Sequence, residues 1–251
     1  DMMAGILTEI ERLHKEKGQI SVSLVGAGGK TSLMRCLAYY LPGSVICTTS
    51  TKLSSDEAAF FEEHVVWQKC SSSLPILDGV ENNLLLTGGP LEVNGIQKLS
   101  GLTEEQLIIL NHYCTEKQIP LMIEADGSKR RPLKAPADWE PVIPAFTNLV
   151  VVVIGVAGLM NPLNEENVFR SQIFSRLTGL EMGQPVDFSA IVRYLKHPLG
   201  GLKGMPDQAK RSVLFNLAGC DAMELVDRIL IEEQLSGVFD GVFFGNVDLS
   251  P

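Results

Sequence analysis

Apolar and polar positions alternate along this chain in two registers. Short runs of β-branched and aliphatic residues recur between longer stretches in which apolar residues return every three or four positions. Helical spacing predicts a helix over Ile6 to Glu16. The strand run Val22, Leu24, Val25 follows, then a second helix carrying Leu33, Met34, Leu37, Ala38 and Leu41. Val45 to Cys47, Val65 to Trp67, Leu84 to Thr87, Leu121 to Ile123, Val150 to Ile154, Val213 to Phe215 and Gly241 to Phe244 read as strands. Helices are predicted over Thr103 to Tyr113, with Glu104 and Glu105 near its start, and over Glu165 to Leu177, Phe188 to Tyr194 and Ala222 to Gln234. Val150 to Ile154 is apolar at every position, which suits a parallel strand covered on both faces. Alternating strands and helices predict an α/β fold, a three-layer P-loop NTPase-like architecture with a mostly parallel sheet. The 251 residues are expected to form a single nucleotide-binding domain, 1–251, with a small inserted subregion at 65–102.

The sharpest local signal lies where the first strand ends. Ser21 to Val25 runs into Gly26, Ala27, Gly28 and Gly29, and then Lys30, Thr31 and Ser32 open the next helix. Residues without bulk let backbone N–H groups approach an anion, and the positive end of the following helix faces the same point. Lys30 would reach the outer phosphates of a nucleotide, and Thr31 would ligate Mg²⁺. The usual Gly-x-x-x-x-Gly-Lys-[Ser/Thr] spacing requires a glycine where this chain has Leu24; the observed Gly26-x-x-Gly29-Lys30-Thr31 is two residues shorter. That shorter loop resembles the ATP loop of the Mur ligases of peptidoglycan synthesis.

Charge and composition narrow the function. A formal net charge of −9 and a pI of about 5.0 disfavour general nucleic-acid binding. No stretch approaches the roughly 20 apolar residues of a membrane span, and the first 20 residues lack a secretory apolar segment, so a cytoplasmic location is expected. The five cysteines, at 36, 47, 70, 114 and 220, contain no Cys-x-x-Cys pair and read as reduced, mostly buried thiols. His14, His64, His112 and His197 have no metal-ligand spacing.

Further candidates cluster at strand ends, where open α/β sheets place ligands. Glu124 and Asp126 follow the strand at 121–123. Either could hold a metal-bound water or Thr31, and Asp126 takes first place for the metal. Thr49, Thr51 and Lys52 follow the second strand and could orient phosphate or a second substrate. Lys129, Arg130, Arg131 and Lys134 form the densest cationic run and could receive an anionic small molecule. Asn216 could pair with a base, although the guanine signature Asn-Lys-x-Asp is absent, so ATP and GTP both remain open.

Gly26 to Ser32, Thr48 to Lys52, Lys98-Leu-Ser-Gly-Leu102 and Glu124-Ala-Asp-Gly-Ser-Lys-Arg-Arg-Pro-Leu-Lys-Ala-Pro136 together resemble the YqeC family over nearly the whole chain. That family is described as accessory proteins for selenium-dependent molybdenum hydroxylases. The resemblance implies a role in cofactor maturation, with a molybdenum hydroxylase or a cofactor-maturation protein as partner. It places Lys30, Thr31, Lys52, Lys98, Glu124, Asp126 and the basic run within family motifs. The expected activity is NTP hydrolysis or phosphotransfer with Mg²⁺ and ATP or GTP. A noncatalytic nucleotide-controlled scaffold and a small-molecule kinase or ligase are the alternatives.

Overall fold

The computed structural model describes residues 4–69, 71, 73–75, 77, 83–218 and 228–247. In chain order its elements are α1 (Ala4–Lys17), β1 (Ser21–Gly26), α2 (Lys30–Tyr40), β2 (Ile46–Thr49), β3 (Leu53–Ser54), β4 (Glu63–Val66), β5 (Leu84–Thr87), β6 (Pro90–Val93), β7 (Ile96–Leu99) and α3 (Glu104–Lys117). There follow β8 (Leu121–Glu124), β9 (Leu133–Lys134), β10 (Leu149–Gly155), β11 (Val168–Phe169), α4 (Ser171–Thr178), α5 (Phe188–Lys196), β12 (Lys210–Asn216), α6 (Arg228–Leu235) and β13 (Gly241–Gly245).

Eight strands form one sheet in the order β13-β12-β10-β1-β8-β2-β5-β4, and every neighbouring pair runs parallel. The fold is therefore the expected α/β architecture of P-loop NTPase type. Parallel neighbours cannot be joined by a tight turn, so crossover segments cover the faces. Period-two alternation sorts the side chains: Leu24, Val151, Val153 and Leu214 pack with α1 and α2, while Val25, Val150, Val152, Ile154, Val213 and Phe215 pack with α4, α5 and α6. On that second face Ile46, Leu84, Leu86, Leu121 and Ile123 pack with α3. A capping box starts α3: the Thr103 hydroxyl accepts from the Gln106 N–H, and the Gln106 side chain accepts from the Thr103 N–H.

Two features depart from the pattern-based expectation. The helix predicted over Glu165 to Leu177 begins only at Ser171. Val168 and Phe169 instead pair with Leu133 and Lys134, Arg170 adopts left-handed backbone at φ 62°, and the Glu165 carboxylate accepts from the N–H groups of Arg170 and Ser171. Asp/Glu acceptance at a helix start satisfies its orphan donors, so the chain turns before the helix can begin. Strands β3, β7 and β6 form a separate antiparallel sheet, with β6 and β7 joined at Asn94-Gly95, both at positive φ. Asn-Gly is the strongest short hairpin signal, and the strand reading passed over it. Of the helix predicted over Ala222 to Gln234, residues 222–227 lie outside the described residues, as do Cys70 and Cys220; Cys36, Cys47 and Cys114 are buried thiols outside any disulfide. Among the described residues, no helix is long and apolar enough to cross a membrane.

Candidate functional site

The central strand β1 delivers the glycine loop to the C-terminal rim of the sheet, between β8 and β10. Ala27 N–H still donates to Val153 O at 2.9 Å, after which the chain leaves the sheet. Gly28 has φ +78°, and a Cβ there would lie 2.4 Å from Gly155 Cα and 2.6 Å from Pro132 O. Gly29 has φ +133°, and a Cβ would lie 2.5 Å from Asn216 Nδ2. Only glycine meets both demands. Gly29 then caps α2 without any side-chain acceptor, so the first-turn N–H groups face outward beside Lys30, Thr31 and Ser32.

The Lys30 side chain is buried and folds back over the loop. Its Nζ donates to Gly26 O at 2.7 Å and stands 3.3 Å from Asp126 Oδ1 and 3.9 Å from Glu124 Oε1. Burial opposes its charge, but Asp126 and Glu124 outweigh that effect and hold its pKa above the ordinary lysine value. The Thr31 hydroxyl donates to Glu124 Oε2 at 2.8 Å, and the Gly26 N–H donates to Asp126 Oδ2 at 3.1 Å. Glu124, the last residue of β8, is therefore the carboxylate in contact with Thr31, a contact that sequence reading left open between Glu124 and Asp126. Burial pushes the Glu124 carboxyl above its usual range, and Lys30 and Thr31 counter this only in part.

Behind Asp126 an ion network runs away from the loop. Lys134 Nζ lies 2.9 Å from Asp126 Oδ2, donates to Gly127 O at 2.7 Å and reaches Glu140 Oε2 at 2.7 Å. Glu140 in turn accepts from Arg170 at 2.7 Å and 3.3 Å. Burial alone would raise the Glu140 carboxyl, but Arg170 and Lys134 prevail and hold it below its usual range. Three carboxylates thus face three cations, Lys30, Lys134 and Arg170, in a largely water-free environment.

The structure splits the remaining candidates. Thr49 Oγ1 and Ser50 N–H both donate to Glu124 O at 3.0 Å, and the Thr51 N–H donates to Thr49 Oγ1, so the β2 and β8 ends are laced together. Lys52 is exposed, and Lys98 sits on β7 opposite Leu91 and Ser54. Of the basic run, Lys134 turns inward. Lys129 and Arg130 occupy the middle of a turn closed by Arg131 N–H to Ser128 O, both at positive φ (50° and 58°). Arg130 pairs with Asp56 at 2.7 Å on the surface. Asn216 braces the loop: its Nδ2 donates to Gly28 O at 2.7 Å, and its Oδ1 accepts from Ala218 and Val247. Sequence reasoning missed Glu140 and Arg170. Neither lies in a motif; Glu140 meets Lys134 from six residues further along the chain, and the pairing of β9 with β11 brings Arg170 to both.

The donor set suits a hard divalent cation. Asp126 Oδ1 is buried and makes no hydrogen bond, with Lys30 Nζ at 3.3 Å; the same ammonium stands 3.9 Å from Glu124, to which the Thr31 hydroxyl donates while keeping its own lone pairs. Among the described residues, no group of three or more His, Cys, Asp or Glu could hold a metal ion.

Comparison with known proteins adds two findings. A family profile described as YqeC protein matches residues 22–172. A protein of Escherichia coli (strain K12) named "Uncharacterized protein YqeC" is 32% identical over 213 residues, covering 81% of this chain and 78% of its own length. No solved structure gives a significant match.

Proposed function

The chain belongs to the YqeC family, and on that basis we propose that it is a Mg²⁺-nucleotide-binding accessory protein, an NTP hydrolase or phosphotransferase in maturation of a selenium-dependent molybdenum hydroxylase. The observation that carries the nucleotide part is the convergence of the uncapped α2 N-terminus, Lys30 and Thr31 on Glu124 and Asp126 at one strand end. The maturation role rests on the family motifs at 26–32, 48–52, 98–102 and 124–136.

Phosphate oxygens would take the loop N–H groups and draw the Lys30 ammonium from Gly26 O and Asp126. Glu124 orients the Thr31 hydroxyl, Thr31 and Asp126 Oδ1 would hold Mg²⁺, and Lys134 holds Asp126 in place. When bound, Mg²⁺ supplies positive charge against the phosphate oxygens. Cytosolic ATP and GTP both meet these requirements, and a hydroxylase or maturation protein is the partner proposed.

One observation favours a second reading, a nucleotide-controlled scaffold that turns over slowly. Glu124 and Asp126 are both engaged by loop groups, and Asp126 by two lysines as well, so neither stands free to take a proton from an attacking water. Calorimetry with Mg·ATP and Mg·GTP, together with phosphate release, tests both. Lys30→Ala is expected to weaken binding at least about tenfold, a hydrogen bond between charged groups contributing about 1.5–3 kcal/mol. A folded Lys30→Ala protein with unchanged affinity and turnover refutes the site. Tight binding without phosphate release selects the scaffold.

A further inference from the structure

Trp139 is 74% exposed, the most exposed of the described large apolar side chains. The Arg170 guanidinium lies 5.8 Å from the centre of its ring and 4.2 Å from the centre of the Phe169 ring, and the Lys129 ammonium lies 4.8 Å from Phe169. Rings and cations alternate along this edge. A surface arginine ordinarily samples many rotamers, but this one is held. Glu140 accepts from both of its terminal nitrogens, Ala135 O accepts a third bond at 3.3 Å, and Glu140 is itself buried and tied to Lys134. Lys134 contacts Asp126, which accepts the Gly26 N–H of the phosphate loop. The stack is therefore ordered by the fold and anchored to the same ion network that reaches the loop. A ligand meeting it loses little further side-chain freedom.

Charge narrows the ligand. In a chain of net charge −9, this edge presents Lys129 and Arg170 on either side of Phe169, while Arg130, next to Lys129, pairs with Asp56. Lys129, Arg130 and Arg170 hold left-handed backbone, at φ 50°, 58° and 62°, a conformation L-residues adopt at a cost and which concentrates at ligand sites. An exposed indole face beside fixed cations suits a flat ring joined to an anion, the ring stacking and the anion meeting Lys129. We propose that Trp139, Arg170, Phe169 and Lys129 form a binding site for a planar heteroaromatic ring bearing phosphate, adjoining the phosphate loop. It deepens the nucleotide reading and rests on it for the role of the neighbouring loop. The ring is either the base of the loop-bound nucleotide or part of a second molecule.

Trp139 supplies its own reporter, since the chain has two tryptophans and the other, Trp67, is 1% exposed. The full chain is titrated with Mg·ATP, Mg·GTP, the nucleoside 5′-monophosphates, ribose 5-phosphate and Mg·tripolyphosphate, following emission and heat. Ring-bearing phosphates are expected to quench Trp139 saturably, and the ringless ones are not. Trp139→Ala should weaken ring-bearing ligands about tenfold or more. Trp139→Phe should restore most of that affinity, and Mg·tripolyphosphate binding should stay unchanged. Quenching by monophosphates with the loop filled by Mg·tripolyphosphate assigns the ring to a second molecule. Quenching by nucleoside triphosphates alone, competed by tripolyphosphate, assigns it to the nucleotide's own base. If tripolyphosphate binds while ring-bearing ligands neither quench nor depend on Trp139, the stacking site is refuted and the phosphate loop stands; an acidic protein then becomes the occupant to seek. If tripolyphosphate fails to bind and monophosphates still quench, the loop reading falls and the stacking site survives.

Discussion

Replacing Lys134 by methionine keeps an unbranched stem and deletes a charge that is 1% exposed. The ammonium donates to Gly127 O and Glu140 Oε2, both at 2.7 Å, and lies 2.9 Å from Asp126 Oδ2. Removing one member of a buried ion pair costs about 3–5 kcal/mol, because the partner is left as an uncompensated buried charge. Here the loss is cushioned: Asp126 keeps Lys30 and the Gly26 N–H, and Glu140 keeps Arg170. The lower end, about 3 kcal/mol, is therefore expected. In a chain of this size each kcal/mol lowers Tm by roughly 2–4 °C, so thermal unfolding followed by circular dichroism should shift down by roughly 6–12 °C. Adding Asp126→Asn removes the stranded carboxylate, and the double variant should be less destabilised than the sum of the two singles by about 1 kcal/mol or more. A Lys134→Met protein that melts within about 2 °C of the parent, or strictly additive variants, would refute the claim that Lys134 neutralises this network.

Gly28→Ala should abolish Mg·nucleotide binding and cost on the order of 1–3 kcal/mol, because the methyl meets Gly155 Cα at 2.4 Å and the residue must hold φ +78°; calorimetry and urea midpoints check both, and a fully stable, nucleotide-binding variant contradicts it. The two network glutamates predict opposite pH dependence. Glu140, held below its ordinary 4.5 because Arg170 and Lys134 overcome burial, binds its proton less readily folded than unfolded; its contribution is full above about pH 4.5 and drains as pH falls through the lower folded value. Glu124, raised by burial, contributes fully below about pH 4.5 and loses that contribution as pH rises through its raised value. Urea midpoints across about pH 3 to 8 should show Glu140→Gln flattening the acid limb and Glu124→Gln flattening the limb above it. The same change of slope in both variants would contradict the assignment.

Much of the sheet was readable in the chain because a buried parallel strand leaves a local trace. Val150 to Ile154 is apolar at every position, and it lies within β10, Leu149–Gly155, paired on both sides. The glycine loop was readable for a similar reason. Positions 28 and 29 approach backbone and side chains too closely for any Cβ, so the requirement is written in residue identity. The helix start at Ser171 was not readable, since apolar spacing over Glu165 to Leu177 carries no mark of the β9 partner that draws Val168 and Phe169 into a strand.

By itself the sequence determined where the glycine loop leaves the sheet, through a strand, three glycines and a Lys-Thr pair that act within a dozen residues. Tertiary structure alone decided what the charged residues around it do. Lys129, Arg130 and Lys134 look alike along the chain, yet Lys134 is drawn inward to Asp126 and Glu140, Arg130 meets Asp56 at the surface, and Lys129 lies over Phe169. The difference arises because a charge's role depends on which partners and how much water surround it, and those are set by strand pairing between segments more than 30 residues apart, Leu133–Lys134 with Val168–Phe169.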